Sequence, residues 1–113
     1  MAYSLQDIKY FKLEIFIPET HFAPLQKALQ KVGAGKIKGN YDSCLSYAPV
    51  TGMWRPLKGA NPYLGKENEL CQATELKVEV CCKAEILEKT VAAIKKVHPY
   101  EEPVINILPL FIF

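Results

Sequence analysis

Twice along this chain an apolar pattern of period two gives way to one of period 3.6, and few folds accommodate that repetition in a single small domain. From Tyr10 to Ile17, the residues Phe11, Leu13, Ile15 and Ile17 fall on one side and Lys12, Glu14 and Phe16 on the other. Side chains of an extended strand alternate between its faces, so this stretch is a half-buried strand. Pro18 ends it and Thr20 stands where a helix cap is wanted. Phe22, Leu25, Leu29 and Val32 then recur at helical spacing opposite Gln26, Lys27, Gln30 and Lys31, which predicts an amphipathic helix. Pro24 fits only a first turn, where N–H groups have no intrahelical acceptor, and Gly33 and Gly35 stop the helix.

The second half repeats the plan. Leu76, Val78, Val80 and Cys82 alternate with Glu75, Lys77, Glu79 and Cys81 across Thr74 to Cys82, as in a sheet with one wet face. Ala84 to Val97 is helical through Leu87, Val91, Ile94 and Val97, with Glu85 and Glu88 early and Lys95 and Lys96 late, as the helix dipole favours. Pro99 terminates it. Val104 to Phe113 is β-rich, and because Pro109 cannot donate to a ladder this last strand belongs at a sheet edge.

The stretch from Gly33 to Cys71 is too long for a structureless loop in a compact domain. Its composition predicts a strand at Ser43 to Ala48, a turn at Pro49-Val50-Thr51-Gly52, and a short return strand at Met53 to Leu57. Lys58 to Gly65 carries Gly59, Asn61-Pro62 and Gly65, residues of an exposed, adaptable loop. The whole chain, residues 1–113, then reads as one α+β domain of ferredoxin-like order, β-α-β-β-α-β, with two helices on one face of an antiparallel sheet. A hairpin and Gly-rich loop at about 43–66 are inserted between strands two and three.

Charge and composition narrow the function. The 14 basic and 12 acidic residues are interspersed, with no basic run dense enough to follow a phosphate backbone, so nucleic acid is not an expected partner. No apolar segment is long enough to cross a bilayer, and Met1 to Leu5 lacks the basic head and long apolar body of a secretory signal. A cytoplasmic location with no membrane partner is the expectation. The cysteines Cys44, Cys71, Cys81 and Cys82 form no C-x-x-C pair, and the neighbours Cys81 and Cys82 point to opposite faces of a strand. They read as reduced thiols.

Two regions carry possible chemistry. The junction His98-Pro99-Tyr100-Glu101-Glu102-Pro103 places a histidine at a helix end, where Glu101 or Glu102 can orient its ring. One reading makes His98 a zinc or copper ligand with Glu101, joined by His21 or Cys44 as a divalent-metal site. The plainer reading makes it a helix terminator that caps backbone carbonyls while Tyr100 packs beneath. The plainer roles are a small buried residue for Cys44 and a surface residue for His21. The loop residues Arg55, Lys58, Asn61 and Tyr63, with Tyr41 and Tyr100, have the composition of a ligand-gripping surface, although a loop packed on a neighbouring subunit explains them as well. The apolar tail from Leu108 to Phe113 suggests a subunit contact or a segment folded on its own sheet. Nucleophile with base, metal triad and spaced carboxylate pair are all missing, so an enzyme is not expected.

These motifs carry a resemblance. The His98-Pro-Tyr-Glu-Glu-Pro103 segment before a hydrophobic strand resembles the close of CutA proteins. Together with Gly35-Lys-Ile-Lys-Gly-Asn-Tyr41 and Gly59-Ala-Asn-Pro-Tyr-Leu-Gly65, it resembles the inserted middle domain of YqfO, in the Nif-three-like family, and its freestanding relatives, over roughly residues 10 to 110. The resemblance implies a PII- and CutA-like module that assembles through its sheet edges, commonly as a trimer with a dimer as the alternative. It also implies a sensor or regulator in which the long loop between strands two and three meets a small-molecule effector or a protein partner. The expectation is a non-enzymatic oligomeric module with a small-molecule or ion site between subunits. The alternatives are a copper- or zinc-handling protein and an accessory to a metal-dependent hydrolase.

Overall fold

The two alternating segments become the two central strands of one sheet. In a computed structural model that describes residues 7–112, β1 (Tyr10–Ile17) pairs antiparallel with β3 (Cys71–Lys83), so that Leu13 faces Val80, Ile15 faces Val78 and Ile17 faces Leu76. Met1 to Leu5, which lack the pattern of a secretory signal, and Phe113, the end of the apolar tail, lie outside the described residues. The register puts the apolar half of each strand on the same face. There α1 (Phe22–Val32) contributes Leu25 and Leu29, and α2 (Leu87–Val97) contributes Ile94, all essentially inaccessible to water. Burying such a side chain is worth about 1.5–3 kcal/mol, so this one apolar layer is the main source of stability. Thr90, also fully buried on α2, donates its hydroxyl hydrogen to the Ile86 carbonyl at 2.8 Å and leaves no polar group unsatisfied.

The edges are β2 (Ser46–Trp54), paired antiparallel with β3, and β4 (Ile105–Leu110), paired antiparallel with β1, in the order β2-β3-β1-β4. This is the expected ferredoxin-like arrangement with both helices on one face. No helix among the described residues is long and apolar enough to cross a membrane. The helix-free face carries Lys12, Glu14, Lys77 and Glu79, with Lys12 and Glu79 paired at 2.8 Å and Lys77 at 3.5 Å from Glu14. That hydrogen-bonded contact raises the Lys12 ammonium pKa and lowers that of the Glu79 carboxyl.

Three local expectations are corrected. The inserted hairpin does not exist: Pro49 to Gly52 do not turn but continue a single nine-residue strand, paired with β3 from Ser46 to Trp54. On an edge strand every second N–H points away from the sheet, so Pro49 is tolerated there as Pro109 is in β4. Gly52 marks a close approach and not a turn, since a Cβ at that position would run into the Glu75 carboxylate. Thr20 does not cap α1. It lies in a single 3-10 turn, Glu19–His21, with its hydroxyl 2.9 Å from His21 Nδ1. Residues 43–45 are not strand, and residues 55–70 form the one long connection between β2 and β3.

Gly35 ties the segment after α1 to the sheet. Its N–H donates to the Cys81 carbonyl at 2.8 Å, and its carbonyl accepts from the Cys44 N–H at 3.0 Å. Its φ is +88°, and an added Cβ would lie 2.6 Å from the Cys44 carbonyl oxygen, whereas Gly59, at φ +93°, has open space around it. Gly59→Ala should therefore cost only the left-handed strain of about 1 kcal/mol. Gly35→Ala adds a backbone clash and should cost about 3 kcal/mol or more. Urea unfolding of both variants checks this, and equal losses would show that the Gly35 tie is not confining the loop.

Candidate functional site

Antiparallel pairing brings four chain segments to one end of the sheet: the close of β1, the close of β2, the start of β3 and the start of β4. The turn before α1, the 55–70 connection and the 98–104 junction therefore meet there. The long connection folds back over the helix-free face, held by the Asn61 N–H, which donates to both Glu101 carboxylate oxygens at 3.2 and 3.3 Å. Trp54 donates its indole N–H to the Leu64 carbonyl at 3.1 Å, and the Asn68 N–H to the Pro56 carbonyl at 2.7 Å.

Between this loop and the junction lies a cleft of about 900 Å³. Phe16, Gly52 and Glu75 line its floor, Trp54 and Tyr63 one wall, and Tyr100 the other. The rings of Trp54 and Tyr63 each stand 5.9 Å from that of Tyr100, centroid to centroid, and Tyr63 meets His21 edge-on at 5.8 Å. Arg55, Lys58, Glu101 and Glu102 are exposed on the rim.

The floor is polar where it is least accessible. Glu75 is 5% exposed, and the Tyr100 hydroxyl beside it is, among the described residues, the buried side-chain oxygen without a hydrogen-bond partner of good geometry. Burial first, and then the neighbouring Glu75, push the Tyr100 phenol well above its ordinary range, so it remains a neutral O–H. The sheet pattern assigned Glu75 to a wet face, and the loop over that face is what buries it.

His98 is pinned from both sides. Its backbone N–H closes α2 on the Ile94 carbonyl at 3.0 Å, and its ring is buried, with Nε2 2.7 Å from the Phe16 carbonyl oxygen and Nδ1 3.2 Å from the Tyr100 N–H. A carbonyl only accepts and a backbone N–H only donates, so the ring is the neutral tautomer with its hydrogen on Nε2. Burial holds its pKa below the ordinary value, against the opposing pull of the Phe16 hydrogen bond.

The proposed metal set is not gathered by the fold. Both His98 nitrogens are engaged by the backbone, and His21 Nδ1 is engaged by Thr20. Cys44 lies beside Gly35 and Cys81, six strand residues from Glu75 and so about 20 Å away. No group of three metal-ligating side chains occurs among the described residues. Tyr41 is likewise outside the cleft, 79% exposed on the segment before β2. Arg55, Lys58, Tyr63 and Tyr100 do line it, Asn61 positions the loop, and Glu101 receives the Asn61 N–H. Glu75, Gly52 and Phe16 line the cleft without any sequence pattern that marks them as site residues. A glycine inside a strand would mark Gly52 and its carboxylate neighbour, but the sequence pattern places Gly52 in a turn. All four cysteines are free thiols, and burial pushes those of Cys81 and Cys82 up.

A His98 pKa depressed below the unfolded value of 6.5 means that the unfolded chain binds the proton first on acidification. The stability held by the neutral ring is then complete above about pH 6.5 and lost as pH falls toward the folded value. Urea midpoints of the wild type should fall over that window, and His98→Asn should be less stable at pH 7.5 yet show a shallower acid slope. An unchanged slope would assign the titration to another group.

Comparison with known proteins agrees with this architecture. No protein-family model matches the chain. A Halalkalibacterium halodurans protein named GTP cyclohydrolase 1 type 2 homolog is 42% identical over 100 residues, 88% of this chain and 27% of that protein. The chain thus spans about a quarter of the length of the curated relatives it matches. The crystal structure of a Bacillus cereus protein related to NIF3 superposes with a TM-score of 0.79 at 32% identity, covering 91% of this chain and 26% of that one. Fold likeness extends to B. subtilis GlnK, with a TM-score of 0.63 at 20% identity over 90% of this chain and 85% of that one. It extends also to Archaeoglobus fulgidus CutA, a periplasmic divalent cation tolerance protein, with a TM-score of 0.64 at 17% identity over 89% and 83%.

Proposed function

We propose that this chain, which is homologous to one segment of the Nif-three-like (YqfO) proteins and has the fold of PII and CutA proteins, is a non-enzymatic, oligomeric binding or regulatory module. The observation that carries the reading is the cleft under the 55–70 connection, which combines apolar walls with a few convergent polar groups, as small-molecule sites do. Binding is favoured over chemistry because two of the groups suited to proton transfer are engaged in holding the structure: Glu101 holds the loop, and both nitrogens of His98 hold backbone. The cyclohydrolase activity in the relatives' name is not part of the proposal, since most of the length of those proteins lies outside the match.

Self-association is supported by the sheet edges. The outer side of β4 is unpaired among the described residues, and Ile107 and Leu108 on it are exposed, as Met53 is on β2. Such edges add strands or pack on a second copy. A homotrimer is the assembly in view, with the cleft beside a subunit boundary.

Light scattering at micromolar concentration tests the assembly, and a monodisperse monomer would sink it. A thermal-shift screen of charged and neutral small molecules tests the cleft. A true ligand at a hundredfold its Kd adds about 2.7 kcal/mol and raises Tm by several degrees. Trp54→Ala should abolish that rise, whereas a shift retained in Trp54→Ala places the ligand elsewhere.

A further inference from the structure

Resting on the reading of the cleft as a binding site, we infer that its ligand is a small organic cation with N–H donors, a protonated primary amine, seated on Glu75 with its hydrocarbon part against Trp54, Tyr63 and Tyr100. Three independent observations converge on this chemistry. Glu75 is a carboxylate 95% removed from solvent that lines the cleft and makes no ion pair among the described residues. A buried charge requires a partner of opposite sign, and here the open side of the carboxylate is the cleft itself.

Beside it, the Tyr100 hydroxyl is buried and has, apart from the adjacent Glu75, no hydrogen-bond partner. Its oxygen can accept an N–H, so an ammonium group can donate to Glu75 and to Tyr100 at once, which a quaternary ammonium cannot do. The walls, finally, are aromatic. Trp54 and Tyr63 each stand 5.9 Å from Tyr100, and the faces of such rings attract cations where water is scarce.

Charges at the rim do not reverse the preference. Arg55 and Lys58 are exposed and solvated, while Glu101 and Glu102 stand opposite them, so the lining carries three carboxylates against two cations and the most deeply buried charge is Glu75. Gly52 belongs to the same device: without a side chain it leaves the Glu75 carboxylate room above β2.

Trp54 is the one tryptophan of the chain and lines the cleft, so its fluorescence reports occupancy directly. The probe is n-butylammonium chloride, titrated at constant ionic strength beside 1-butanol, tetramethylammonium and citrate, with isothermal calorimetry as a second readout. Saturable binding of butylammonium is expected, with 1-butanol and tetramethylammonium at least tenfold weaker. Glu75→Gln, which keeps the side chain's shape, should weaken butylammonium about tenfold or more. Tyr63→Leu, on the exposed loop, should weaken it roughly two- to fivefold while leaving Tm unchanged. Equal affinity for butylammonium and 1-butanol, or butylammonium binding indifferent to Glu75→Gln, overturns the inference. If citrate or the alcohol binds and butylammonium does not, the cleft stands as a binding site and the ligand class is wrong. If no probe binds, the cation inference falls, and the broader thermal-shift screen decides the fate of the cleft separately.

Discussion

The antiparallel ladder between β1 and β3 is the constraint on which everything else depends. Its register aligns Leu13, Ile15 and Ile17 with Val80, Val78 and Leu76 on one face, and a slip of one residue would turn every one of those side chains toward water. With that face fixed, both helices must lie on it, because only there can Leu25, Leu29 and Ile94 leave solvent. The other face is left free for polar side chains and for the loop that covers part of it. The same ladder determines which loops can meet. Because β1 and β3 run in opposite directions, the end of one lies beside the start of the other, and the turn before α1, the 55–70 connection and the junction after α2 become neighbours.

The cleft follows from how that end is closed. His98 fastens the end of α2 to the Phe16 carbonyl of β1 and turns the chain toward β4, which places the Tyr100 ring under the loop. Asn61 and Glu101 then hold the loop across the helix-free face. A histidine used in this way must stay neutral, and its burial ensures that. The stretch that looked richest in metal-binding chemistry is thus engaged in construction. The group that burial makes most costly to leave unpaired is a glutamate from the middle of a strand, Glu75, whose approach is made possible by the missing side chain of Gly52 on the adjacent edge strand.

Likeness to PII and CutA proteins under 25% identity speaks to the fold, and the Nif-three-like relatives share residues as well as shape. Conserving a fold needs only the apolar alternation and the two amphipathic stripes, which many sequences satisfy. The junction and loop residues around Glu75 and Tyr100 are a further requirement placed on top of it, and it is these that give the cleft its particular chemistry.

The sequence by itself determined five of the six main elements, β1, α1, β3, α2 and β4, with the faces of the two central strands, the one-sided placement of the helices and the edge position of β4. These follow from periodicity and from the missing N–H of Pro109, properties carried within each segment. Local pattern misread Pro49 to Gly52 as a turn, because whether a proline and a glycine break a strand depends on whether that strand is at an edge and what lies across from it. It also left Cys44 grouped with residues about 20 Å away, and Tyr41 with a cleft that it does not line, since proximity between loops is set by register and not by spacing. Only the tertiary structure decided that Glu75 is buried, that Trp54, Tyr63 and Tyr100 share a cleft, and that the His98 ring is taken up by backbone. Each of these arises from contacts between residues tens of positions apart, which no property of the separate segments encodes.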